Sequence, residues 1–181
     1  MHFDPSAHAV RAEHPLVIAF TDLIGFAKQS TRVSDAELAE HIDGYYARVT
    51  TRITGAGGHV VKFIGDGALV VFHRAAADAA VAAILELKHE IDEWLAELGW
   101  DCRLTAKVHV GDVIVGPFGG KLDVIGREVN AAAMLDSTGV ALSVPAFRAL
   151  GADMRTRFHK HTPPVTYIRL EDPRRFRYRP A

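Results

Sequence analysis

Two aspartates stand out among the residues able to do chemistry, Asp22 and Asp66. Asp66 lies in Gly65-Asp66-Gly67, a hairpin turn signal between two runs rich in β-branched and aromatic residues, Val60 to Ile64 and Ala68 to Phe72. Asp22 ends the apolar run Ile18-Ala19-Phe20-Thr21 and is followed by Leu23-Ile24-Gly25-Phe26. Carboxylates at the ends of neighbouring strands can hold a pair of Mg²⁺ ions, which favour a few carboxylates together with substrate phosphates. The bland readings are that Asp22 caps a turn and that Asp66 only shapes its hairpin. Among the ten histidines no pair shows the HExxH spacing, and His159 and His161, flanking Lys160, are a weak metal pair.

The elements that must position these groups follow from pattern. Pro15 to Leu23 reads as a central strand, apolar on both faces. Ile24 to Ser30 is a loop or short helical turn. Ser34-Asp35-Ala36-Glu37 is a capping box, with Val33 and Leu38 as its hydrophobic staple. The helix it opens buries Leu38, Ile42, Tyr45, Val49 and Ile53, and Gly55 to Gly58 end it. After the hairpin comes a long helix from Ala75 to Leu98. Arg103 to Val110 alternates, with Arg103, Thr105, Lys107 and His109 forming a polar face. Asp112 to Gly116 is a further strand, Lys121 to Ile125 a short one, and Gly126 to Leu135 a helix. Val140 to Ser143 and Val165 to Leu170 are strands, with a short helix from Pro145 to Leu150 between them. The order predicts an α+β fold, a ferredoxin-like βαββαβ core with a C-terminal αβ extension. Residues 1–14 form a flexible lead-in, 15–170 the domain, and 171–181 a basic tail carrying Arg174, Arg175, Arg177 and Arg179.

Composition excludes several classes. A chain of 181 residues with 49% hydrophobic residues can bury a full core. A net charge of −1 gives no drive toward nucleic acid or membrane surfaces. Cys102 is the only cysteine, so no disulfide framework exists, and a cytoplasmic setting is expected. Neither a signal peptide nor a bilayer-spanning run is read from the sequence.

Four segments, taken in order, resemble the class III nucleotidyl cyclase catalytic domain. They are Phe20-Thr21-Asp22-Leu23-Ile24-Gly25-Phe26, Lys62-Phe63-Ile64-Gly65-Asp66-Gly67, Val108-His109-Val110-Gly111 with Val115-Gly116, and Asp123-Val124-Ile125-Gly126-Arg127-Glu128-Val129-Asn130-Ala131. The last matches the family pattern D-x-x-G-x-x-V-N-x-A. The resemblance implies an intramolecular reaction: the ribose 3′-hydroxyl of a nucleoside triphosphate attacks the α-phosphorus and pyrophosphate leaves. It assigns two Mg²⁺ or Mn²⁺ ions to Asp22, Asp66 and the Leu23 carbonyl. Backbone amides near Gly25 and Phe26 would receive phosphate oxygens. Lys62 and Asp123 match the base-reading pair, Asn130 the ribose-orienting residue, and Lys160 stands near the family's late phosphate lysine. In the family the metal aspartates and the base reader with its Asn come from different chains, which implies a homodimer with two sites.

One departure is plain. The family carries an Arg four residues after the Asn, where this chain has Met134. Arg127, Arg103 or Lys107 could supply the missing cation. The Lys–Asp pair matches adenine and cytosine, and uracil with a shifted ring. The short, divergent chain also resembles the stand-alone bacterial pyrimidine cyclases of anti-phage defence, which make cyclic UMP or cyclic CMP. The sequence reading therefore places a pyrimidine cyclase first and an adenylate cyclase second. A catalytically dead nucleotide-binding or dimerisation module is the rival from another class. A ferredoxin-like nucleic-acid binder fails because the polar strand face has no aromatic platform.

Overall fold

The computed structural model describes residues 2–162 and 165–169. The tail expected at 171–181 and the end of the last strand, Leu170, lie outside the described residues. The ferredoxin-like core is present. Strand β1 (Ala12–Ile24) is followed by α1 (Phe26–Ser30) and α2 (Asp35–Gly55). Strands β2 (His59–Ile64) and β3 (Gly67–His73) make the hairpin. Helix α3 (Ala77–Glu97) then returns the chain to β4 (Arg103–Phe118). The sheet runs β2-β3-β1-β4, and each of these pairs is antiparallel. The extension supplies β5 (Lys121–Ile125), α4 (Arg127–Ala133), β6 (Val140–Leu142), α5 (Val144–Ala149), α6 (Ala152–Arg155), β7 (Phe158–His161) and β8 (Thr166–Arg169). Strand β6 joins β4 in parallel, β8 and β7 follow it, and β5 folds back on β4.

Alternation along β1 divides the core. Val17, Ala19 and Leu23 face α2 and α3, where Tyr45, Val49, Ile53, Ile84 and Ile91 are fully buried. Leu16 and Ile18 face the other way, onto Val124 of β5 and Ala132 of α4. Asp22 has the parity of Leu16 and Ile18. Asp22 therefore lies on the α4 and β5 side of the sheet. On the opposite side, Ser34 caps α2 by accepting from the Glu37 amide at 3.3 Å. Val33 and Leu38 pack on the core as the staple requires.

Three expectations are corrected. The lead-in is folded: Phe3 is buried, stacked on His8 and His59, and its amide donates to the Gly57 carbonyl. A single buried aromatic holds a segment that has no apolar run to announce it. The strands read as separate on either side of Gly111 are one, β4. The polar face of β4, read as the second face of a half-buried strand, is largely covered: Thr105 and His109 are buried, and Arg103 at its start is exposed. Helix α4 covers that face.

Candidate active site

The aspartates meet at the end of the sheet where β1 leaves and β3 begins. Thr21 pairs with Ala68, which sets Asp22 beside the Gly65-Asp66-Gly67 turn. A Cβ on Gly67 would stand 3.0 Å from the Thr21 carbonyl and 3.6 Å from Asp22 Oδ1, so the bare glycine lets turn and carboxylate approach. Tyr46 Oη donates to the Gly65 carbonyl at 2.6 Å and ties the turn to α2. Gly25 follows β1 with φ +89°, and a Cβ there would meet the Asp101 carbonyl at 2.7 Å. Only glycine allows the chain to swing from β1 into α1 at this point. Phe26, the next residue, packs on Trp100.

Burial, and then the charge of Asp22, push the Asp66 carboxyl above its ordinary 3.8, although its own amide and that of Leu23 donate to it. Two carboxylates held this close repel when both are ionised. That is the environment a divalent cation relieves. Among the described residues no group of three or more His, Cys, Asp or Glu side chains is gathered to hold a metal by itself. Two carboxylates completed by a backbone carbonyl, substrate phosphates and water are a ligand set that suits Mg²⁺. The donor set fits the expected ions.

Lys62 and Asp123 are brought together, Nζ to Oδ2 at 2.6 Å. A β-bulge makes this possible. Val60 pairs with Val70 and Lys62 with Leu69, leaving Val61 as the extra residue. Past the bulge the faces exchange. Phe63 joins Val60 on the α2 side, stacked 3.8 Å from Tyr46. Lys62 thereby turns to the β5 face, where Asp123 waits.

Asn130, Met134, Arg127 and Lys160 do not line the cavity at Asp22. Asn130 is exposed on α4, and Met134, just past that helix, is 85% exposed. Arg127 is exposed too, with Nε 3.3 Å from Glu128 Oε1. It lines a cavity of about 580 Å³ together with Arg74, Asp112 and Arg148, which contains neither aspartate. Leu16 lies opposite Gly111 in that wall, six residues up β1 from Asp22, or roughly 20 Å. Lys160 is exposed on β7. The cation that does line the cavity beside Asp22 is Lys107, and its Nζ donates to the Ala133 carbonyl at 2.9 Å. Its place on the polar strand face was visible in the sequence, but its contact with α4 was not.

Comparison with known protein families identifies the domain. The model of the adenylate and guanylate cyclase catalytic domain matches residues 9–149. The chain belongs to that family. Adenylate cyclase 2 of Rhizobium meliloti (strain 1021) is 27% identical over 166 residues, covering 86% of this chain and 44% of the relative. An adenylate cyclase of Streptomyces coelicolor is 28% identical over 123 residues, 67% of this chain and 29% of the relative. A bacterial light-regulated adenylyl cyclase has the same fold, with TM-score 0.80 at 21% identity over 90% of this chain and 52% of that one. The guanylyl cyclase Cya2 gives 0.73 at 26% identity over 88% and 92%. The cyclase domain described here spans less than half the length of the curated relatives it matches.

Proposed function

We propose that this cyclase domain is active, and that it converts a nucleoside triphosphate to its 3′,5′-cyclic monophosphate and pyrophosphate. The observation that carries this reading is the paired carboxylates, held at the end of the sheet with one of them destabilised in its ionised form. Two Mg²⁺ or Mn²⁺ ions bound by Asp22, Asp66 and the Leu23 carbonyl would acidify the 3′-hydroxyl and neutralise the triphosphate. A dead module would have no need to keep two carboxylates in mutual repulsion.

The chain's own residues divide the remaining work. Lys62 donates to the base and Asp123 accepts from it, their mutual ion pair holding both in place until the base arrives. Asn130 orients the ribose. Lys107, beside Asp22, and Arg127 are the cations available to stand in for the Arg that Met134 replaces. Amides near Gly25 and Phe26, with Lys160, receive phosphate oxygens.

The site is shared between two copies of the chain. The cavity at Asp22 is about 200 Å³, below the roughly 300–1,000 Å³ of ordinary ligand pockets. One chain therefore supplies half a site. Ile64 (57% exposed), Ile125 (48%) and Met134 are apolar side chains left uncovered at the hairpin tip, the end of β5 and the end of α4. A homodimer that joins the aspartates of one chain to the Lys62–Asp123 pair and Asn130 of the other would cover them.

Adenine is our first choice of base. The pair offers a donor beside an acceptor, and adenine N1 and N6 answer it. The matched bacterial relatives are adenylate cyclases. The pyrimidine reading, with its role in phage defence, draws on no residue of the site, because cytosine satisfies the pair only as well as adenine does. Among the described residues no helix is long and apolar enough to cross a membrane. Nucleic acid has no place in the reading, and a cytoplasmic setting stays part of the proposal. The test is incubation of the purified chain with ATP, GTP, CTP and UTP separately, with Mn²⁺ or Mg²⁺, and identification of products by mass spectrometry. Cyclic AMP is the expected dominant product. Cyclic CMP or cyclic UMP in its place would restore the pyrimidine reading, and no product at all would support the dead module.

A further inference from the structure

Helix α4 carries Asn130 but has only seven residues, too few to hold its own shape or direction. It is gripped by one strand at two points. Near its start, Glu128 Oε2 lies 2.7 Å from His109 Nε2. At its end, Lys107 Nζ donates to the Ala133 carbonyl. Lys107 and His109 are alternate residues of β4 and share a face, and Asn130 lies between the two grips.

The first grip is part-buried: His109 is buried and both its ring nitrogens are used, while Glu128 keeps some exposure. His109 Nδ1 is 2.8 Å from Ser143 Oγ, which accepts from the Ala146 amide at 3.2 Å and caps α5. The neutral ring satisfies every group: Nε2–H donates to Glu128, and Nδ1 accepts the Ser143 proton. The order Ser–His–Glu is also that of a hydrolytic triad. Here, however, Ser143 is buried and its lone pair serves the helix cap, so it faces no substrate. Gly111 completes the device. A Cβ there would stand 2.6 Å from Glu128 Cγ, so only glycine lets Glu128 lie across the strand. The Arg127 contact to Oε1 is at the surface and adds little.

We propose that Glu128 is a positioning residue which, through His109 and Ser143, sets the rotation of α4 and so the aim of Asn130 into the shared site. The inference rests on the role given to Asn130 above. A misplacement of about 1 Å at a reacting group can cost roughly 100-fold in rate. Glu128→Ala is therefore expected to lower kcat roughly 10- to 100-fold with KM for the triphosphate little changed. Glu128→Gln, whose amide oxygen still accepts from Nε2–H, should recover most of the rate. Gly111→Ala, which displaces Glu128 without removing it, should reproduce the loss in a chain that melts normally.

Mixing variants separates positioning from general stability. A Glu128→Ala chain paired with an Asp66→Ala chain should regain activity, because the second chain supplies an intact α4. Paired with Asn130→Ala it should not. Rescue by Asn130→Ala, or wild-type kcat in both Glu128→Ala and Gly111→Ala while Asn130→Ala is inactive, would overturn the inference alone. Full activity of Asn130→Ala itself would overturn the site reading and this inference together.

Discussion

The two halves of the site are built on different terms. The aspartate half is made by the backbone of the core: β1 and β3 in register, a turn that approaches through Gly67, a swing at Gly25 that no other residue permits, and a Tyr46 tether. The α4 half is a short helix whose outward residues, Asn130, Arg127 and Met134, are exposed, and whose placement depends on a few side chains of β4. The first half places charge in mutual opposition and holds it there. In our proposal the second is finished by contact with another chain. The contrast accounts for the plainest departure from the family pattern, Met134, falling in the second half. Its side chain leaves the core of the single chain untouched.

The largest effect that would test this contrast is at the aspartates. Asp22→Ala and Asp66→Ala should each lower turnover by roughly 10³-fold or more, the scale of several kcal/mol of lost charge stabilisation. Size-exclusion profiles should stay those of the wild type. A smaller effect, of opposite sign, is expected on α4. Met134→Arg restores a cation where the family has one and should raise kcat by roughly 10-fold or more. An unchanged rate would mean that Lys107 or another group already fills that role.

The smallest effect is on stability. The folded protein holds the Asp66 proton to higher pH than the unfolded chain does, because burial and Asp22 raise its pKa. The stability this group contributes is therefore complete below about 3.8 and is lost as pH rises through the raised value. At neutral pH the metal-free protein carries that repulsion. Asp66→Asn should raise its melting temperature at pH 7 and change it little at pH 3.5. Mn²⁺ should stabilise the wild type and leave the variant unaffected. A variant that melts lower than the metal-free wild type at pH 7 would count against carboxylate repulsion.

The same contrast decides how much could be read from the sequence. Local signals gave the core. The β-branched runs, the Gly65-Asp66-Gly67 turn and the capping box each act over a few residues, and each stands where the pattern put it. The Asp22–Asp66 pairing was legible because both residues end strands that the order of elements makes neighbours. The bulge at Val61 was not, since a strict period of two places Lys62 on the same face as Val60. Gly111 was read as a break because its neighbour in space, Glu128, lies 17 positions away in sequence. His109 was read only as part of a polar strand face, since its partners Glu128 and Ser143 lie 19 and 34 positions away. Phe3 escaped notice as one aromatic in a polar segment, where only its packing on His8 and His59 shows that the segment is fixed.

The most direct test of the central claim, a site divided between two chains, mixes two inactive proteins. Asp66→Ala damages the aspartate half and Asn130→Ala the α4 half, and each homodimer should be inactive. Co-refolded or co-expressed, they form heterodimers in which one site takes both aspartates from the Asn130→Ala chain and an intact Asn130 from the Asp66→Ala chain. Our account predicts cyclase activity near a quarter of the wild type, since half the dimers are mixed and each holds one good site of two. Activity no greater than the two variants measured apart, with heterodimers demonstrably present, would contradict it.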